Sequence, residues 1–421
     1  MASVENTAFG NKINEATITF VREHREEDVR ALALSGRKDS DVDLPWALDQ
    51  IQGWQAARKK LPSWAAIDGI IFPPHLSMEQ CSSETTALYK CGIIERLSEA
   101  CRGLLVDLTG GFGVDFSFMA PYFEQAVYVE RQSHLVETAQ HNFRLLSKGP
   151  KPNRVLFIHE EADKAISISL PNCHTDSTLF FLDPARRDDK QARTYAIADC
   201  SPNVLELLPG LFQRGQRVLL KLSPMLDWHK AVSDLGNHVA EVHIVSVKNE
   251  CKELLVLLDA LHEGEPTVYC MNDGQLLIYA PSQDDGGPTV APDPKEVVYL
   301  YEPNASIMKA GCYGLLTQRY PVAAIATDSH LFVSQEWVDV FPGRCFAVTA
   351  VTTMNKKELA AALKGITQAN VATRNFPMSA QQLRKRLRLG DGGDCYIFGT
   401  TTAAGEHLLY ICKKKSIEQT I

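Results

Sequence analysis

Residues 106–115 read V-D-L-T-G-G-F-G-V-D, and the reading of this stretch decides the fold. An apolar run beginning at Leu104 reaches Asp107, and three glycines follow within four positions, Gly110, Gly111 and Gly113. That order predicts a buried strand ending in a tight turn, where missing side chains let the backbone bend sharply or approach a ligand. A dinucleotide site wants G-x-G-x-x-G, with a last glycine for helix–strand packing. In this window Asp115 fills that last position. A phosphate-cradling loop fails too, because no Gly-Lys-Ser/Thr follows.

Outward from the turn, residues 99–262 alternate short apolar runs with amphipathic segments, as expected of a parallel sheet covered on both faces. Strands are expected at 104–108, 126–130, 154–159, 179–183, 217–222, 241–247 and 252–258. The last two are joined by a short turn, which predicts an antiparallel pair at the sheet edge. Residues 1–98 read as a helical module, with Ile13, Phe20, Leu32, Trp46, Ile51 and Trp54 among apolar positions recurring every three or four residues. Residues 268–335 contain a polar Gly- and Pro-rich loop at 282–294 and short strands and turns. Residues 336–415 alternate strand and helix as a small α+β domain. Its second helix is expected over 379–389, with Ser379 as N-cap and Gly390 just past the end.

Composition narrows the function classes. Eleven cysteines occur with no C-x-x-C pair, which argues against a zinc site and for free thiols in a reducing compartment. No run of about 18 apolar residues and no signal-peptide pattern occurs, so a cytoplasmic protein without a membrane partner is expected. The net charge of −8 does not advertise a surface for polyanions. Residues 336–421 depart from it, with 12 Lys/Arg against 7 Asp/Glu, a local net of +5.

The acid-ended strand and glycine turn resemble the cofactor loop of class I S-adenosylmethionine-dependent methyltransferases. The resemblance implies that Asp107, Thr109, Gly110, Gly111 and Gly113 line the S-adenosyl-L-methionine, with Asp107 paired to its ammonium group. The next strand ends V-Y-V-E, putting Glu130 where an acid accepts ribose hydroxyls, although an NAD site would place an acid there as well. The family match supplies Asp163, in H-E-E-A-D, for the adenine amino group, with Glu160 and Glu161 as nearby competitors. In families of this fold a segment before the first strand crosses the cofactor. Here it is C-S-S-E-T-T-A-L-Y-K (81–90), which implicates Thr86 and Lys90. An ordinary capped helix explains the same residues.

The fourth strand runs into F-F-L-D-P-A-R-R (180–187), which resembles the Asp/Asn-Pro-Pro-aromatic turn of base-modifying methyltransferases. Asp183 and Pro184 match; Ala185 and Arg186 depart, leaving no aromatic ring to stack on a flipped base. Arg186 and Arg187 suit a substrate phosphate or carboxylate, or equally ion pairs with Asp188 and Asp189. The fifth strand ends K-L-S-P without the thiol that pyrimidine C5 chemistry needs. Cys200 and Cys251 are conceivable substitutes for that thiol, but free cysteines are more often simply core.

In the C-terminal region Arg384, Lys385, Arg386 and Arg388 crowd one expected helix, with 384 and 388 on one face, and Arg374 ends the preceding strand. The segment from R-N-F-P (374–377) to L-L-Y-I-C-K-K (408–414) is similar to THUMP-like domains, and L-Y-E-P-N-A-S-I-M-K-A-G (300–311) to the ferredoxin-like insertion found with them. The resemblance implies an RNA partner held by these basic residues, although a solvated helix face and a charged tail explain the same charges. The whole chain thus reads as a Rossmann-like α/β methyltransferase sheet with an N-terminal helical module and C-terminal ferredoxin-like and THUMP-like regions. Its expected activity is metal-free methyl transfer to tRNA or rRNA, with Asp183 orienting or deprotonating the acceptor. Two alternatives stay open: a nonenzymatic RNA-binding protein with a decayed cofactor pocket, and a small-molecule methyltransferase.

Overall fold

The structure, a computed structural model, describes residues 13–34, 41–146, 152–170, 175–186, 196–284 and 286–415. The chain forms two compact units, one from residues 1–240 and 253–264, the other from 241–252 and 265–421.

The first unit opens with helices α1 (Glu15–His24), α2 (Val29–Leu34), α3 (Leu44–Lys60), α4 (Pro62–Ala65), α5 (His75–Gln80) and α6 (Glu84–Glu95). Their starts follow local chemistry. Asn14 caps α1 by accepting from the Thr17 amide at 2.9 Å, and Asp43 caps α3. Phe20, Leu32, Ala47 and Ile51 form one buried cluster of this module. A second cluster joins Ala57, Leu61, Trp64 and Phe72 to Phe112 of the glycine turn. The Phe112 and Trp64 rings meet edge-on, with centroids 4.9 Å apart. Burying a phenylalanine of this kind contributes roughly 1.5–3 kcal/mol, so the helices anchor the turn from outside the sheet.

The strands of the first unit are β1 (Leu104–Asp107), β2 (Gln125–Glu130), β3 (Arg154–His159), β4 (Thr178–Leu182), β7 (Arg217–Leu222) and β9 (Glu250–Asp259), the last from Glu253 onward; β5 (Ala185–Arg186) and β6 (Cys200–Ser201) make a separate two-residue ladder. The order is β9-β7-β4-β1-β2-β3. All neighbours are parallel except β9, which runs antiparallel to β7. Every residue of β1 and β4 is buried, as a strand covered by helices on both faces requires. Helices α7 (Val114–Met119), α8 (Ser133–Leu146), α9 (Ala162–Lys164), α10 (Val204–Phe212) and α11 (Trp228–Leu235) fill the crossovers. The parallel order puts the carboxyl ends of β1, β2 and β4 side by side.

The second unit contains β8 (Val239–Val247), of which all but the first two residues belong to it, β10 (Thr267–Asn272) and β11 (Gln275–Tyr279). The strands over 241–247 and 252–258 were expected to end the sheet as a pair. They do not, because two more strands follow: β10 pairs with β8 in parallel, Thr267 beside Glu241, and β11 adds antiparallel to β10. A seven-stranded sheet follows in the order β13-β14-β12-β15-β18-β17-β16. Its strands are β12 (Tyr299–Pro303), β13 (Ala323–Ala324), β14 (Phe332–Ser334), β15 (Gly343–Thr352), β16 (Asn370–Arg374), β17 (Cys395–Thr401) and β18 (His407–Lys414). Helices α12 (Ala305–Ala310), α13 (Tyr313–Arg319), α14 (Lys356–Ala362) and α15 (Ala380–Leu387) accompany it. Leu300, Phe346, Phe398 and Tyr410 lie in its core.

Helix α15 corrects one expectation. Ser379 does cap it, but it ends at Leu387, and Arg388 takes a left-handed conformation at φ 59° instead of continuing the helix. The Leu389 amide reaches back to the Arg384 carbonyl, the closure that usually employs glycine. Arg388 therefore does not share a helical face with Arg384.

Candidate active site

The glycine turn is built around Tyr128, in the middle of β2. A Cβ on Gly110 would sit 2.1 Å from the Tyr128 ring, so only hydrogen fits there. The Tyr128 hydroxyl donates to the Gly111 carbonyl at 2.5 Å. Gly113 adopts φ +84° at the start of α7, a region side chains rarely enter. Glu130 closes the turn: one carboxylate oxygen accepts the Gly111 amide at 3.0 Å and the other the Gln132 amide at 2.9 Å. Its remaining lone pairs are the kind that hydroxyls can use.

Asp107 ends β1 at 1% exposure and accepts the Thr109 amide at 3.0 Å. Burial pushes its carboxyl well above the usual carboxylate range, against the Thr109 bond, and Asp115, Asp183 and Glu130 push the same way. A buried acid beside three others favours a cationic partner. S-adenosylmethionine carries an ammonium and a sulfonium, so the donor set Asp107, Glu130 and the glycine backbone fits that group.

Thr109 also links the strands, since its hydroxyl accepts the Asp183 amide at 2.6 Å. Asp183 follows β4 directly, and its Oδ2 accepts from Lys221 Nζ of β7 at 2.5 Å. Lys221 lies 3.6 Å from Asp115 Oδ2, Lys90 Nζ lies 3.1 Å from Asp115 Oδ1, and Lys90 donates to Glu253 of β9 at 2.5 Å. The single Ser82 hydroxyl proton lies between Asp115, with the oxygens 2.7 Å apart, and Glu253, at 3.1 Å. Burial draws Lys221 down, but Asp183, Asp115 and Glu253 together outweigh it and hold the ammonium above the usual lysine range. Burial likewise raises Asp183, with Lys221 opposing. For Asp115 the lysines prevail over burial and lower its carboxyl. Two ammonium groups thus bind three carboxylates in a chain from α6 to the end of β4.

Sequence reasoning passed over Asp115, Lys221, Glu253 and Ser82 as functional residues. A signal existed: Lys221 interrupts R-V-L-L-K-L and Glu253 begins E-L-L-V-L-L, and a charge inside a buried strand requires a partner. Asp115, which broke the dinucleotide fingerprint, is the centre of the chain.

Other expected residues sit as follows. Lys90, expected across the cofactor, is 0% exposed and committed to Glu253 and Asp115. Thr86 is buried in the capping box with Ser83 that starts α6. Asp163 is exposed in the first turn of α9, past β3. Pro184 follows Asp183 and leads into β5, which contains Arg186; Arg187 lies outside the described residues. In the second unit Lys385, Arg386 and Arg388 are exposed, Arg384 pairs with Asp391, and Arg374 bonds Glu302 at 2.9 Å. A cavity of about 850 Å³ lined by Trp64, Leu88, Arg102 and Tyr122 reaches Glu124, just before β2, and so lies at the opposite ends of the strands from Asp107 and Glu130.

The family described as THUMP domain-like matches residues 343–414, and a ferredoxin-like domain family matches 299–342. No curated protein matches the chain. A crystal structure from Porphyromonas gingivalis W83, provisionally described as a methyltransferase, is 29% identical, covering 95% of this chain and 98% of its own, with a TM-score of 0.82. An S-adenosylmethionine-dependent methyltransferase from Agrobacterium tumefaciens is 14% identical over 42% of this chain and 61% of its own, at a TM-score of 0.29. A tRNA m1G37 methyltransferase of M. jannaschii is 13% identical over 42% and 50%, at 0.28. The chain combines a class I methyltransferase fold with a ferredoxin-like domain and a THUMP-like domain at its C-terminal end.

Proposed function

We propose that the protein is an S-adenosylmethionine-dependent methyltransferase that modifies structured RNA, tRNA or rRNA. The observation that carries this reading is the row of acids at the carboxyl ends of β1, β2 and β4, with Asp183 tied to both Thr109 and Lys221. Open α/β sheets bind ligands along this edge. Asp107 would hold the ammonium of the cofactor, Glu130 its ribose and the glycine turn its nucleoside. The bound cofactor supplies the methyl group.

The chain's own contribution is positioning. Lys221 occupies one oxygen of Asp183, and the carboxylate is 39% exposed, so the other oxygen is available to an acceptor N–H or O–H. With its carboxylate held by Lys221 and its backbone amide by Thr109, Asp183 can orient the acceptor and take its proton, which supports transfer to a polar atom of a base. The exposed Lys385, Arg386 and Arg388 of the THUMP-like domain, and its net positive charge, support RNA as the substrate.

Two measurements test this. Calorimetry should detect S-adenosylmethionine binding that Asp107→Asn and Glu130→Gln abolish. Mass spectrometry of nucleosides from cells with and without the gene should show loss of one methylated nucleoside. Intact RNA binding without cofactor binding would point instead to a nonenzymatic RNA-binding protein.

A further inference from the structure

The second unit contains an arrangement that its folding alone does not require. Glu302 of β12, with its side chain 2% exposed, binds two guanidinium groups. Arg344 of β15, its register partner, donates from Nε to Oε2 at 2.8 Å, and Arg374 of β16 donates to Oε1 at 2.9 Å. The arginine side chains remain 37% and 38% exposed, and the trio carries a net charge of one positive. Such a carboxylate holds both forks rigid while leaving outward N–H groups for another anion. As a stability device the trio has little advantage, since a packed apolar cluster would serve as well.

Two further observations point to a ligand. Arg374 Nε and Thr400 Oγ1 are buried without a hydrogen-bond partner among the described residues, and Arg374 and Thr400 are register partners on parallel strands. Nearby, the His330 and Tyr313 rings stack with centroids 4.3 Å apart and planes 15° apart, both partly exposed. Strand β14 runs antiparallel to β12 with Phe332 beside Tyr301, so the chain just before it, with His330, lies toward Glu302 and its arginines. Burial first, then Arg374, draws the His330 imidazole below its usual range, against Asp328, so it presents a neutral aromatic face. His330 has φ +51°, a strained conformation of the kind that persists at functional sites.

We propose that Arg344, Arg374, His330 and Tyr313 form a subsite for one unpaired ribonucleotide, its phosphate on the two guanidinium groups and its base stacked on the aromatic pair. This rests on the RNA reading and deepens it: the substrate would present a single-stranded segment to this unit. Stacking on an aromatic platform beside cationic side chains is how unpaired bases are held without sequence preference.

The test uses the full-length chain and two labelled probes, an eight-residue oligouridylate and a blunt RNA duplex, with binding followed by anisotropy over a salt series. The wild type should bind the single strand. The double variant Arg344→Lys/Arg374→Lys keeps the charge but loses the forks, and should bind about tenfold more weakly. His330→Ala should lose about five- to tenfold on the single strand and nothing on the duplex. For Arg374→Ala the slope of log affinity against log salt should flatten by about 0.7. Variants with unchanged melting temperature that bind within twofold of the wild type would overturn the subsite while leaving the RNA reading intact. Equal losses on duplex and single strand would overturn base stacking. No RNA binding by the wild type would overturn both readings. If the double arginine variant does not fold, His330→Ala decides alone.

Discussion

Lys221 Nζ stands 2.5 Å from Asp183 Oδ2, reaching from β7 to the acid just past β4, and the same ammonium lies 3.6 Å from Asp115. The candidate acceptor-facing acid is therefore one end of a buried charge chain. Replacing Lys221 by Met would leave Asp183 and Asp115 without their shared cation. A cost of about 3 kcal/mol is expected in urea unfolding, the lower end for a broken buried pair because Asp183 is partly solvated. A cost below about 1 kcal/mol would mean the chain is not held by this lysine.

The pH behaviour of Asp107 follows from its burial. A carboxyl whose folded pKa lies above its unfolded one keeps its proton in the native chain while the unfolded chain ionises, so stability falls as pH rises through that interval. Asp107→Asn should raise the melting temperature of the ligand-free protein at neutral pH, and the gain should fade below about pH 4, the ordinary carboxylate value.

Asp115 has the opposite sign. Burial alone would raise its carboxyl, but Lys90 and Lys221 outweigh that and lower it. Its contribution is present above the ordinary carboxylate pKa and is lost as pH falls through the lowered value. Asp115→Asn should destabilise the protein at neutral pH, and the deficit should shrink in acid. A pH-independent deficit would count against the ion pairs.

Gly110→Ala would drive a methyl group into the Tyr128 ring, 2.1 Å away. Overpacking of this kind costs roughly 1–3 kcal/mol, and relief by moving Tyr128 would break its bond to the Gly111 carbonyl. Thermal unfolding reports the first effect and cofactor calorimetry the second.

Arg388→Gly should stabilise the THUMP-like domain by about 0.5–1 kcal/mol, because glycine tolerates the φ of 59° that arginine adopts under strain. Denaturant unfolding checks the gain. If Arg388 also touches RNA, the same variant binds total tRNA more weakly at low salt.

Much of the first unit was legible because its signals are local. Apolar runs, the three glycines and the acids at the ends of β1 and β2 are short-range patterns, and the strands formed within two residues of where periodicity put them. The helix end at Leu387 was not legible. Gly390 offered a stop, yet the closure fell two residues earlier on Arg388, where backbone hydrogen bonds outweighed the preference for glycine. The outer position of β10 beside β8 was hidden for another reason: a parallel pairing leaves no turn signal between its strands.

What the sequence determined by itself is the strand order of chemistry: an acid, a glycine turn, a second acid and Asp183-Pro184, each at the end of a buried run, because strand periodicity and glycine's conformational range act over a few residues. Only the tertiary structure decided which charges meet. Lys90 and Glu253 are separated by 163 positions, and Glu302 and Arg374 by 72, so no local pattern links them. Packing brought them together because an ionised group removed from water is tolerable only beside its counter-charge.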